Sequence, residues 1–213
     1  MIVGGFPVPT SGIKRMLPSS KLKPVKLMPG KGAIALVAKE YGRIDGLAPY
    51  NEFTIMVSVT YDMVNGAPGL HGYYVLHQYV TTEEARQIGI EVYGYPTVLA
   101  DITFEDEGEV RRCRVLAGGK DIITLQVKKL ATDPLPWDMD FYSVKGKELL
   151  RSHIQGSGQQ GISGNKGEAL FTLGNHLAAE KLQALKIDKL SVLHRYAPHW
   201  QSIVHPPGEH LPL

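Results

Sequence analysis

Apolar and polar positions along this chain change over in short runs far more often than at helical spacing, a pattern that predicts a mainly β protein. Residues 33–38 are apolar enough for a strand, and residues 53–61 alternate two sets, Phe53, Ile55, Val57 and Val59 against Thr54, Met56, Ser58 and Thr60. Successive strand side chains point to opposite faces, so this segment belongs to a sheet with two different faces. Asn65-Gly66 and Pro68-Gly69 then supply turn chemistry ahead of an aromatic strand over 72–80, a hairpin signal. Further strands are expected over 98–104, 109–117 and 121–130, separated by acidic or Gly-Gly turns. Thr81 with Glu84 three positions on has the form of a capping box and predicts a short helix over 82–88 that Gly89 stops. Ala178, Leu182 and Leu185 recur at helical spacing within 175–185, which predicts a second helix packed on the sheet.

The two ends and one internal stretch break this rhythm. Pro7, Pro9, Pro18, Pro24 and Pro29 leave residues 1–32 little room for uninterrupted secondary structure, so this basic segment reads as a strap around the domain. Residues 155–167 are punctuated by glycine and join plausible strands over 147–153 and 168–173; they read as a mobile hairpin loop. Residues 194–213 read as a C-terminal extension. At about 150 residues per domain the chain is too short for two cores, so residues 1–213 are expected to form a single domain.

Composition narrows the function classes. Lys+Arg 23 against Asp+Glu 21 leaves a net charge of +2, too balanced for a dedicated nucleic-acid binder. The charge-free stretch 63–82 is interrupted by Asn65, Gly66, Pro68, Gly69, His71, Gly72 and Gln78, so no membrane span is expected there. Cys113 has no second cysteine to pair with, and the first residues lack a basic segment followed by an apolar one; a cytoplasmic location is the expectation. No P-loop, His-Glu-x-x-His, nucleophile elbow or Cys-x-x-Cys is present, so no cofactor or metal is expected. His194, His199, His205 and His210 lack the spacing of ligands on one helix face.

The informative region is Gly89-Ile-Glu-Val-Tyr-Gly-Tyr-Pro-Thr-Val-Leu-Ala100, preceded by the short helix and, further back, by Tyr50-Asn-Glu-Phe53. This order resembles the acetoacetate decarboxylase superfamily, in which a Tyr-x-Glu strand, an aromatic strand, a short helix and a Gly-Arg-Glu-x-x-Gly-Tyr-Pro-Lys-Lys segment follow one another. The likeness extends over residues 17–193 in element order and is most specific over 50–101. It implies an antiparallel β-barrel or cone of acetoacetate decarboxylase-like type, with short peripheral helices, a small-molecule cavity and homo-oligomeric assembly.

In such decarboxylases the first lysine after Tyr-Pro forms an imine with a β-keto acid. Here the two lysine positions are Thr97 and Val98, and the family's arginine is Ile90. A hydroxyl forms no imine, which excludes Schiff-base chemistry at this position. Lys39 has no spacing that recommends it as a substitute and reads as a solvated strand residue. Two carboxylates match the family pattern: Glu52, the acid of Tyr-x-Glu, and Glu91, the acid of Gly-Arg-Glu. Between Tyr50 and Phe53, desolvation would raise the pKa of Glu52 into the range of a general acid or base, with Glu91 its partner. The alternative is that Glu52 caps a strand at the surface and Glu91 pairs with Arg86 or Arg43.

Arg43 is the candidate clamp for a substrate carboxylate, unless it is a turn arginine in solvent. Thr97 would donate a hydrogen bond in the vacated lysine space. Tyr93 and Tyr95 line the pocket or are ordinary packing residues, and His77 is a proton shuttle or a hydrogen-bonded sheet residue. Arg111, Arg112 and Arg114 place charge on both faces of one strand, inward or toward a partner chain. The expected function is an acid–base enzyme of lyase, dehydratase, cyclase or isomerase type acting on a small oxo acid or related carbonyl compound. The alternatives are a non-catalytic small-molecule-binding barrel, or a decarboxylase using a different lysine.

Overall fold

A computed structural model describes residues 1–62 and 69–213, and in it the alternation read from residues 53–61 becomes a wall between two apolar layers. The chain opens with β1 (Ile2–Pro9), α1 (Thr10–Met16), β2 (Leu22–Pro24), β3 (Lys31–Tyr41), β4 (Tyr50–Tyr61) and β5 (Leu70–Val80). Next come α2 (Glu83–Glu91), β6 (Thr97–Leu99), β7 (Asp101–Glu107), β8 (Val110–Ala117) and β9 (Lys120–Lys128). The remainder is β10 (Asp133–Lys145), β11 (Glu148–Ser163), β12 (Ala169–Leu173), α3 (Leu177–Gln183), β13 (Leu193–Val204) and β14 (Glu209–Pro212). The turn expected at Asn65-Gly66 and Pro68 lies outside the described residues. No helix among the described residues is long and apolar enough to cross a membrane.

Strands β4, β3, β1, β13, β11, β10 and β5 are bonded in that order, and β5 returns to β4, closing a barrel. The barrel is mixed, which corrects the antiparallel expectation: β5 and β10 run parallel through Phe141 opposite Tyr73 and Tyr142 opposite Tyr74. A parallel pair needs a crossover. Here the crossover is α2, β6 and the meander β7, β8 and β9, which with β12 forms a second, four-stranded sheet.

That second sheet covers the outside of the barrel wall and explains which face of β4 is apolar. Phe53, Ile55, Val57 and Val59 pack outward with Leu36, Phe6, Val115, Ile123, Leu125 and Phe171 into one buried core. Each such side chain contributes about 1.5–3 kcal/mol when fully buried. Thr54, Met56 and Ser58, the more polar set, point into the barrel, so both faces of β4 are buried and neither meets bulk water. Outside, Arg111 pairs with Glu40 at 2.5 Å and Asp106 at 2.8 Å, Arg112 with Glu107 at 2.6 Å, and Arg114 with Asp121 at 2.5 Å. Each arginine of the basic cluster is therefore ion-paired within this chain.

Three expectations are corrected. The proline-rich N-terminus contains β1, a central barrel strand between β3 and β13. Its prolines fit because Gly5 and Pro7 accept hydrogen bonds from the amides of Val192 and Asp188, both at 2.9 Å. Backbone polar groups at this parity, which Pro9 shares, point away from β3, so the missing N–H groups take nothing from the β3 ladder. Residues 194–213 are no extension either, since β13 completes the barrel between β1 and β11 and β14 pairs with β11. Most of the glycine-rich stretch is strand: residues 155–163 are the second half of the 16-residue β11, and 164–167 alone belong to the connection to β12. Gly156 faces Trp137 on β10, and a Cβ there would stand 2.3 Å from the indole ring. The glycine admits the tryptophan to the barrel wall. Gly156→Ala should therefore lower stability by about 1–3 kcal/mol through overpacking. An unchanged urea midpoint would show that this strand is not packed as described.

Candidate active site in the barrel interior

The barrel closes around a cavity of about 410 Å³. Its middle is apolar, walled by Val37, Met56, Val75, Phe141 and Ile154. Polar groups enter where strand parity brings them inward: β3 presents Ala33, Ala35, Val37 and Lys39, and β4 presents Glu52, Thr54, Met56 and Ser58. Lys39 stands opposite Glu52 in the β3–β4 register, so the two are cross-strand neighbours on the inner face.

Lys39 Nζ donates to Glu52 Oε1 at 2.8 Å, and the Thr54 hydroxyl donates to the same oxygen at 2.8 Å. Glu52 is 3% exposed and the Lys39 side chain 14%. Glu52 is thus the inward acid the sequence suggested, whereas Lys39 corrects the reading of a solvated residue. Burial disfavours the charge of Lys39, but the carboxylate's field and hydrogen bond outweigh burial and hold its pKa above the ordinary lysine value. Both bonds reach Oε1; Oε2 takes none among the described residues. Burial, reinforced by the charge of Glu52, raises the pKa of Tyr41 and Tyr50 beside the pair, so both remain neutral hydroxyls.

Thr97, expected from the sequence to stand in a vacated lysine space, is buried behind the cavity wall. Its hydroxyl donates to Gln78 Oε1 at 2.6 Å, and Gln78 is the group that meets the cavity. Gly89 of α2 presses on this pair; a Cβ there would lie 2.3 Å from Thr97 Oγ1. Thr97 therefore touches Gln78 and not the cavity, which corrects the expected direct donation into a vacated space. Tyr93 and Tyr95 do line the cavity. Their rings stack at 5.4 Å, while the hydroxyls are tied to the Val204 carbonyl at 3.3 Å and to Ser152 Oγ at 3.1 Å.

Three expected site residues lie elsewhere. The Thr82 hydroxyl accepts from the Ala85 amide at 3.4 Å, capping α2 one residue later than predicted, and the helix runs through Gly89 to Glu91. Gly89 faces Thr97, and Glu91, two residues on, is exposed, with only its backbone carbonyl engaged by Lys145. Arg43 is exposed in the β3–β4 connection. His77 is turned outward by a bulge: Val75 pairs with Met56 and His77 with Ile55, leaving Leu76 as the extra residue. Gln78 and Val80 thereby take the inward places, while burial and then the charge of Lys181 lower the pKa of His77.

Gln78 was missed, and Lys39 was considered and set aside although it shares its parity with Ala33, Ala35 and Val37. Arg195 was missed as well. It lines the cavity from β13, a strand that the proline and histidine content concealed.

A closed barrel holding one buried ion pair at the edge of an apolar chamber defines a small-molecule pocket. The chain belongs to the acetoacetate decarboxylase (ADC) family, whose model matches residues 1–197. No curated protein matches it in sequence. Among solved structures it is similar to acetoacetate decarboxylase from Legionella pneumophila, at 16% identity and TM-score 0.68 over 99% of this chain and 83% of that one. It is also similar to the enduracididine biosynthesis enzyme MppR with HEPES buffer bound, at 15% identity and TM-score 0.70 over 99% and 85%. An acetoacetate decarboxylase-like enzyme from Sphingomonas wittichii RW1 aligns at 15% identity and TM-score 0.57 over 100% and 90%.

Removing one partner of a buried pair strands the other charge, at a cost of about 3–5 kcal/mol. Lys39→Met should therefore be less stable than wild type by that amount at neutral pH. Because the folded-state pKa of Lys39 is raised, its contribution is intact below the ordinary value of 10.5 and is lost as pH climbs through the folded value. Urea titrations of both proteins should show a difference that is level up to pH 10.5 and shrinks above it. A difference that widens at high pH would contradict the pairing.

Proposed function

We propose that this chain is an acid–base enzyme that acts on a small carbonyl compound inside the barrel, with Glu52 as the group that exchanges the proton. The observation that carries this reading is the division of labour within one carboxylate: Oε1 is anchored by Lys39 and Thr54, and Oε2 is left for a ligand. In this mechanism Oε2 takes a proton from the carbon beside the substrate carbonyl. The electrons of that C–H bond move to the carbonyl oxygen, giving an enolate, and the Lys39 ammonium and Gln78 supply positive potential and a donor near the developing charge. Return of the proton to another atom gives isomerisation, and loss of a β-hydroxyl gives dehydration. The acid's partner is thus an ammonium, in place of the second carboxylate expected at Glu91.

Imine chemistry through Lys39 is the weaker reading. A lysine attacks a carbonyl as the neutral amine, and the pairing with Glu52 holds Lys39 protonated. A purely apolar binding module is disfavoured by the same ion pair, which an apolar ligand would not require. Among the solved relatives, MppR has been observed with pyruvate and with the condensation product of pyruvate and imidazole 4-carboxaldehyde, which supports carbonyl compounds as the ligand class.

Exchange of solvent deuterium into the carbon beside the carbonyl, followed by NMR over a panel of ketones and keto acids, tests the proposal. Glu52→Gln should slow the exchange by a factor of about 100 to 10,000 while ligands still bind. Exchange at the wild-type rate in this variant would remove Glu52 from the chemistry. Borohydride added with pyruvate should leave Lys39 unmodified by mass spectrometry; a reduced adduct on Lys39 would establish the imine route.

A further inference from the structure

The cavity has a second polar end, which the proton transfer does not use. Arg195 stands on β13 opposite Val3 of β1 and Ile162 of β11, and its side chain lines the chamber. Burial, its largest influence, lowers the pKa of the guanidinium, and its neighbour Tyr73, a neutral hydroxyl, opposes that only in part. Among the described residues no carboxylate pairs with it and no side chain accepts a hydrogen bond from it. Among the described residues Glu52 is the one acidic residue in the cavity lining, and it is held by Lys39. A half-buried guanidinium with five donors and no acceptor is uncommon, because buried charges are ordinarily paired.

Arg195 also lies away from the ion pair. Lys39 is bonded to Glu52, whereas Arg195 neighbours the Tyr73 hydroxyl. Tyr73 pairs with Ser58, six residues along β4 from Glu52. The Ser58 carbonyl accepts the Val25 amide at 3.0 Å, which brings the following residues, Lys26 and Leu27, to the same end of the lining. Lys26 is exposed there. One end of the chamber therefore carries two cations and no anion, the other carries the Lys39–Glu52 pair, and the middle is apolar.

We propose that Arg195 is the carboxylate-binding end of this cavity, and that the ligand is an amphipathic keto acid whose carboxylate is separated from the reacting carbonyl by an apolar spacer. The inference rests on the reading of the cavity as the substrate site and adds to it the chemical class of the substrate. A guanidinium can hold a carboxylate through two parallel hydrogen bonds, while the spacer lies against Met56, Val75 and Phe141 and the carbonyl reaches Glu52. In a short β-keto acid the carboxylate sits two bonds from the carbonyl carbon, too close to occupy both ends together.

Calorimetric titration of the full chain with 7-oxooctanoate, whose five methylenes separate carbonyl from carboxylate, and with its methyl ester tests the assignment. Wild type should bind the acid at least about tenfold more tightly than the ester. Arg195→Gln should abolish that preference and leave ester affinity unchanged, and Arg195→Lys should restore part of it. Glu52→Gln should keep the preference while losing deuterium exchange, so failure of the carboxylate site and failure of the proton-transfer reading are separately visible. Equal binding of acid and ester by wild type, equal weakening of both by Arg195→Gln, or no binding of the acid at millimolar concentration would each overturn the proposal.

Discussion

Two opposite charges held at 2.8 Å on neighbouring inward positions of a barrel place demands on everything around them. Each ion loses several kcal/mol of hydration on burial, and the attraction compensates only where geometry is tight and the remaining hydrogen bonds are made. The β3–β4 register puts Lys39 opposite Glu52, and Thr54, two residues along, adds the third contact. A shift of one residue in that register would turn one of the two charges into the packed core between the sheets and leave the other unpaired inside. The same ladder that builds the barrel therefore aligns the chemistry.

The two apolar layers divide the remaining work. Stability resides outside the barrel, where the face of β4 bearing Phe53, Ile55, Val57 and Val59 is pressed against the four-stranded sheet. The inner layer is free to enclose space because the wall is stiffened from behind. Close approaches hold that wall in shape: Gly89 lets α2 lie on Thr97 and Gln78, and Gly156 makes room for Trp137. The nearness of α2 leaves Thr97 behind the wall, and Gln78 is the polar side chain that meets the cavity there.

Strands β3, β4 and β5 were legible in the sequence because their pairing is local and their alternation is strong. So was Glu52, through its place in Tyr-x-Glu. The rest depends on contacts between distant segments. Gly156 reads as a loop residue until Trp137 is seen across the ladder, and Pro7 reads as a strand breaker until its carbonyl is found bonded to Asp188. His77 was misplaced because the bulge at Leu76 reverses the parity of β5, which no local pattern announces. Glu91 was misplaced because α2 continues past a glycine that ordinarily ends a helix. Lys39 was readable in principle, since counting outward from the β3–β4 connection puts it across from Glu52.

The charge state of the Lys39 nitrogen decides whether the cavity works by proton transfer or by covalent capture. Nitrogen NMR of lysine-labelled protein, assigned with Lys39→Met and recorded with and without pyruvate, reads that state directly. The expected spectrum shows an ammonium at neutral pH that persists when the keto acid is added. A neutral amine, or a new imine resonance on adding pyruvate, would contradict the account.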